Sequence, residues 1–125
     1  MEDRRSLALN VGELAELIGG EILNCPERSG ELVANLMVGA MCVDPAPHYF
    51  NLKSDKAVIT RGDRADIQLG ALETPTKCLI LTGGAKPLPN ILQRAEEKQV
   101  PIIVVEKDTP ATLSELEEGL SRGRS

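Results

Sequence analysis

The 125-residue chain has no tryptophan, one tyrosine, one phenylalanine and one histidine. Its two rings, Tyr49 and Phe50, are adjacent, so there is no series of aromatic side chains on which bases would stack. The formal net charge is −5, which removes the electrostatic footprint of a nucleic-acid binder. A single histidine, His48, excludes an HExxH zinc site and a two-histidine relay. Cys25, Cys42 and Cys78 are odd in number, and no two stand at a metal-knuckle or CxxC spacing. A metal site is therefore not expected. Nor is a disulfide framework, which points to a reducing, cytoplasmic setting. No apolar run reaches the roughly 18 residues of a membrane helix, and the polar start Met1–Ser6 does not resemble a secretion signal.

Catalytic signatures are missing as well. The chain contains no phosphate loop of the form G-x-x-x-x-G-K-[ST], no G-x-G pair, no G-x-S-x-G elbow and no D-x-D-x-D-G calcium loop. The carboxylates Glu96, Glu97, Glu115, Glu117 and Glu118 fall on helical segments whose other face is apolar, and read as solvated surface. Neither an enzymatic activity nor a cofactor is expected.

What is present is a core vocabulary of Leu, Ile, Val and Ala arranged as an α/β chain. Asn10 and Glu13 stand in capping-box positions before Val11, Leu14, Ala15, Leu17 and Ile18, and Gly19-Gly20 ends that helix. Glu21–Leu23 reads as a strand and Asn24–Glu31 as a loop. A buried strand is expected over Leu36–Met41, and Asp44-Pro45 suits one helical turn. From Lys56 onward the pattern is regular. The strands Ala57–Thr60, Cys78–Leu81 and Ile102–Val105 alternate with helices capped by Asp63, begun near Leu88 and capped by Thr109. Continuously apolar strands separated by helices imply parallel βαβ units buried on both faces. The first two crossover helices belong on one face, with the N-terminal elements covering the other. The expectation is one domain over residues 1–125, with an N-terminal part to about residue 55 and a second part over 56–120.

Two clusters remain, Thr60-Arg61-Gly62-Asp63-Arg64 and Leu81-Thr82-Gly83-Gly84-Ala85-Lys86-Pro87. Each follows a strand and precedes a helix, so both belong to the carboxyl edge of a parallel sheet, where ligands of open α/β sheets collect. One reading makes Thr82, Gly83, Gly84 and Lys86 an anion-binding loop of free backbone N–H groups, with Arg64 or Lys86 supplying charge and Asp63 holding the arginine. The other makes Asp63 a helix cap and the glycines turn formers.

At these residues the sequence resembles the DRTGG domain family, whose name letters fall on Asp63, Arg64, Thr82, Gly83 and Gly84. The likeness runs through Ala57–Thr60, Pro87, Pro89, Val100-Pro101 and Asp108-Thr109, and includes Leu14–Glu21 and Val38–Met41. The Pro45/Pro47 pair departs from it. The resemblance implies a three-layer fold with a mainly parallel sheet, like the N-terminal domain of HPr kinase. It also implies a module carried inside larger proteins. In some phosphate acetyltransferases it lies beside the catalytic domain, and in some inorganic pyrophosphatases between two CBS domains. The function it implies is regulatory, with a nucleotide or another small anion as ligand at Asp63, Arg64, Thr82, Gly83, Gly84 and Lys86. The alternative is a structural or dimerisation domain docking on a partner enzyme of the phosphotransacetylase type. A homodimer is expected, since a small core poor in aromatics gains buried area by pairing.

Overall fold

The computed structural model describes residues 9–33, 35–38, 56–73 and 76–123. In chain order its elements are β1 (Leu9–Asn10), α1 (Val11–Ile18), β2 (Glu21–Ile22), a 3-10 turn (Pro26–Arg28), β3 (Leu32–Val33) and β4 (Asn35–Val38). These are followed by β5 (Lys56–Arg61), α2 (Ala65–Leu72), β6 (Thr76–Thr82), α3 (Pro89–Lys98), β7 (Ile102–Val104) and α4 (Thr109–Gly123).

The strands that read as continuously apolar lie at the centre of a five-stranded sheet of order β2-β7-β6-β5-β4. β4, β5, β6 and β7 run parallel, with Ala57 opposite Cys78 and Leu79 opposite Ile102. β2 is antiparallel to β7 at one edge. A separate two-stranded ribbon joins β1 to β3. Continuous apolarity is explained by cover on both faces. Val58, Leu79, Leu81 and Ile102 pack against Ile67 and Ala71 of α2 and Ile91 and Ala95 of α3. Ala57, Ile59, Cys78, Ile80 and Ile103 pack against Val11, Leu14 and Ile18 of α1 and Leu116 of α4. The result is the expected three layers, with the crossover helices on one face and the N-terminal helix, joined by the last one, on the other.

Local chemistry sets the boundaries. Asn10 Oδ1 accepts from the Glu13 N–H at 2.7 Å and Glu13 Oε1 from the Asn10 N–H at 3.1 Å, so the capping box forms as its spacing predicts. Thr109, expected as a cap, is instead the first residue of α4. Asp108 Oδ1 takes the Ala111 N–H at 2.9 Å, because a carboxylate one residue earlier reaches the orphan amide that Thr109 would have served. The buried Asn24 donates to Val100 O at 3.2 Å and accepts from Ile102 N at 2.8 Å, tying the loop after β2 to the start of β7. β4 begins at Asn35 rather than Leu36; Gly39–Met41 and the helical turn expected near Pro45 lie outside the described residues.

Candidate functional site

β5 and β6 are neighbours, with Arg61 opposite Thr82 at the end of the ladder, so the two loop clusters emerge side by side at the carboxyl edge. The residue that joins them is Gly62. Its N–H donates to Thr82 O at 3.0 Å. A Cβ placed on Gly62 would lie 2.8 Å from Ala85 O and 2.9 Å from Ala85 Cβ, closer than side-chain carbons approach backbone. The glycine is required by proximity.

The second loop turns at Gly83 and Gly84, with φ of 89° and 76°, the left-handed region that glycine enters without penalty. Their N–H groups point inward. Gly83 N donates to Lys107 O and Gly84 N to Val105 O, each at 2.8 Å. This corrects the expectation that the glycine amides face an anion: they fasten the loop to the segment after β7. Beyond them, the N–H groups of Ala85 and Lys86 have no hydrogen-bond partner among the described residues, and the Lys86 side chain is exposed. The Thr82 side chain is buried, with Oγ1 2.8 Å from Thr109 Oγ1 at the start of α4. Thr60 Oγ1 is buried without a hydrogen-bond partner among the described residues.

The first loop is wired differently from its sequence reading. Asp63 neither caps α2 nor holds Arg64. The N-cap is Arg64, with no side-chain capping bond, and Asp63 forms a two-point pair with Arg61, at 3.0 Å from Nε and 2.7 Å from Nη2. Arg61 ends β5 on the exposed side, and its guanidinium folds back on the next carboxylate before that carboxylate can reach the helix. The hydrogen bond from Arg61 lowers the Asp63 carboxyl below its ordinary range. Arg64 pairs with Asp66 at 3.4 Å, and its hydrogen bond lowers that carboxyl. Gln68, buried on α2, donates to Arg61 O at 2.9 Å and anchors the loop from below. α3 likewise starts at Leu88 without a side-chain cap, Pro89 following at its first position. Neither helix that follows the loops is capped by its N-cap side chain, and at the start of α2 the Asp66 carboxylate takes the Ile67 amide.

Of the predicted residues, Thr82, Gly83, Gly84 and Lys86 share one loop and the Asp63–Arg64 loop abuts it. The contact itself is made by Gly62 and Ala85, which sequence reasoning did not single out. The signal for Gly62 was a glycine one residue past a buried strand, beside a second strand ending in two glycines. Cys78 is wholly buried and its thiol is pushed up to about 12 by burial, which makes it inert. Cys42 and His48 lie outside the described residues. Among the described residues no three His, Cys, Asp or Glu side chains gather as metal ligands, and no helix is long and apolar enough to cross a membrane.

The family model of the DRTGG domain matches residues 13–118. Among curated proteins, a cobalt-dependent inorganic pyrophosphatase of Clostridium perfringens (strain 13 / Type A) is 24% identical over 102 residues, covering 82% of this chain and 18% of the enzyme. The chain therefore spans under a fifth of that relative. Among solved structures, the CBS and DRTGG domains of the regulatory region of Clostridium perfringens pyrophosphatase, complexed with the activator diadenosine tetraphosphate, align with a TM-score of 0.78 at 23% identity. That match covers 95% of this chain and 52% of the other.

Proposed function

The chain belongs to the DRTGG domain family, and we propose on that footing that it is a regulatory module, without catalysis of its own, that binds a small anionic ligand of the nucleotide class. The observation that carries the reading is the fused pair of loops at the carboxyl edge. There the Ala85 and Lys86 amides are unpaired, both following helices lack side-chain caps, and Arg61, Arg64 and Lys86 are close in sequence to the junction. Amides at a helix N-terminus with a nearby guanidinium suit a phosphate. The structural relative's complex with a nucleotide activator supports the ligand class. A cytoplasmic setting and action on or within an enzyme of phosphate chemistry belong to the same proposal.

The test is ligand-induced thermal stabilisation with AMP, ATP and diadenosine tetraphosphate, in the parent, Arg64→Ala, Lys86→Ala and Gly84→Val. A ligand that stabilises the parent and loses its effect in the loop variants supports the site. A ligand that stabilises all four chains equally places binding elsewhere.

One observation favours a second reading, a structural or docking domain that forms a homodimer or seats on a partner enzyme. Gly83 and Gly84 spend their amides inside the fold, as turn formers do. Sedimentation at micromolar concentration checks it, and a monomer with no nucleotide response would remove the dimer.

A further inference from the structure

The net charge of the chain is −5, and the carboxyl edge is close to neutral. Arg61 and Arg64 are each matched by their own aspartate, and Glu106 lies under Gly84. The opposite edge, where the parallel strands begin, is different. A cleft of about 150 Å³ is lined there by Arg28, Glu31, Thr76, Lys77, Lys98 and Gln99. Three cations and one carboxylate line it.

Its geometry is that of an oxyanion clamp already holding an internal anion. Glu31 Oε2 lies 3.1 Å from Arg28 Nη1 and Glu31 Oε1 lies 3.0 Å from Lys77 Nζ. Two cations from distant parts of the chain thus converge on the two oxygens of one carboxylate. The hydrogen bond from Lys77, helped by Arg28, lowers the Glu31 carboxyl. Arg28 also donates through Nη2 to Gln99 Oε1, which fixes the guanidinium plane. Lys98, on the cleft wall, has no ion pair among the described residues. Gln99 lines the cleft as the left-handed C-cap of α3, with φ of 60°, a common way for a helix to end, and Cys25 O accepts from Arg28 N at 2.9 Å. Glu27 and Glu96 stand nearby and act on the Cys25 thiol.

We propose that this amino-edge cleft is a second anion site, separate from the carboxyl-edge loops, that takes a single phosphoryl group. Arg28 and Lys98 bind it, and Glu31 acts as the internal competitor that it displaces from Arg28 and Lys77. The volume supports a group of this size. It exceeds by about tenfold the ~10–15 Å³ that one water needs, and it falls short of the ~300 Å³ at which pockets for drug-sized ligands begin. A guanidinium fork beside ammonium groups is the donor set that phosphate oxygens favour.

The experiment is a titration of the ¹⁵N-labelled full chain with inorganic phosphate against sodium chloride at matched ionic strength. A parallel titration with glycerol 3-phosphate separates free phosphate from a phosphomonoester. Saturable amide shifts are expected at Arg28, Lys77, Lys98 and Gln99 with either phosphate compound and not with chloride. Lys98→Ala, an exposed change that leaves folding intact, should weaken binding about three- to tenfold. Glu31→Gln removes the competitor and should tighten binding about threefold or more, although the ion pairs it breaks are lost. A purely structural network would instead lose stability in Glu31→Gln and gain no affinity. The inference is overturned if phosphate acts no differently from chloride, or if Lys98→Ala binds as the parent does. It is also overturned if the shifts fall only on Gly83–Lys86, which would support the carboxyl-edge reading. Shifts confined to the cleft, with no nucleotide response at the loops, would uphold this site and remove that reading.

Discussion

Replacing Gly62 with alanine should destabilise the fold by driving a methyl into the contact between the two carboxyl-edge loops. The new Cβ would sit 2.8 Å from Ala85 O and 2.9 Å from Ala85 Cβ, and 3.3 Å from Thr82 O, so the loops must separate by roughly half an ångström or more to restore ordinary carbon contact distances. Two of the three obstructing atoms are backbone oxygens, so no side-chain rotation relieves the clash. Overpacking of this kind costs about 1–3 kcal/mol. Stretching the Gly62–Thr82 hydrogen bond, 3.0 Å long, adds up to ~1 kcal/mol. The stiffer unfolded chain returns ~0.4–1 kcal/mol. The net loss is about 1–3 kcal/mol, a fall in Tm of roughly 4–12 °C for a domain of this size. Two controls isolate the cause. Gly30→Ala meets nothing within 4 Å and should melt within about 2 °C of the parent or slightly above it. Gly83→Ala also meets open space but holds a φ of 89°, and should lose ~1–2 kcal/mol from backbone strain alone. Far-UV circular dichroism against temperature and urea is the assay, since the chain has no tryptophan to report. If Gly62→Ala melts with Gly30→Ala, the loops are not pressed together, and the basis for a shared carboxyl-edge site is gone.

Other outcomes can be checked on the same footing. Asn24→Ala strands the Ile102 N–H and Val100 O and should cost about 1–3 kcal/mol, read as a lower urea midpoint. Asp108→Ala removes the cap of α4 and should cost about 1 kcal/mol, whereas Thr109→Ser keeps the hydroxyl near Thr82 and should cost less. Cys78, with its thiol at about 12, should resist a thiol reagent at pH 8 in the native chain and react once urea unfolds it; rapid native labelling at Cys78 by mass spectrometry would contradict its burial. Lys56 is buried and its ammonium is pulled down to about 8 by burial. Between about pH 8 and the ordinary lysine value of 10.5 the unfolded chain therefore binds more protons than the folded one. Stability contributed by this group rises with pH across that window, and the rise should vanish in Lys56→Met when urea midpoints are compared from pH 7 to 10.

The layers and the parallel order were legible because strands buried on both faces leave an unmistakable trace. Ala57–Thr60 and Cys78–Leu81 carry no polar alternation, and a turn-bounded segment long enough for a crossover helix separates them. The two-residue strands β1, β2 and β3 are too short for any period to register. The site was half legible. Gly83 and Gly84 were placed correctly as the turn after β6, but sequence does not say which way an amide points, and theirs point to Lys107 and Val105. Asp63 was misjudged because its position favours capping while its neighbour Arg61 offers a charged, two-point partner that competes better. The amino-edge cleft left no local motif. Arg28 and Lys98 stand 49 and 21 residues to either side of Lys77 in the chain, separations that only the strand order closes.

That strand order also fixes when the sheet can be completed. The early part of the chain contributes both of its edges, β2 and β4, while the three central strands come later. During synthesis the edge strands emerge first, with their main-chain donors and acceptors unmatched, and β2 waits for a partner, β7, that follows roughly 80 residues behind. At ~5–20 residues per second, that interval is about 4–16 s. Lengthening the interval with slow codons after residue 38 should raise capture by holdase chaperones without altering the finished fold.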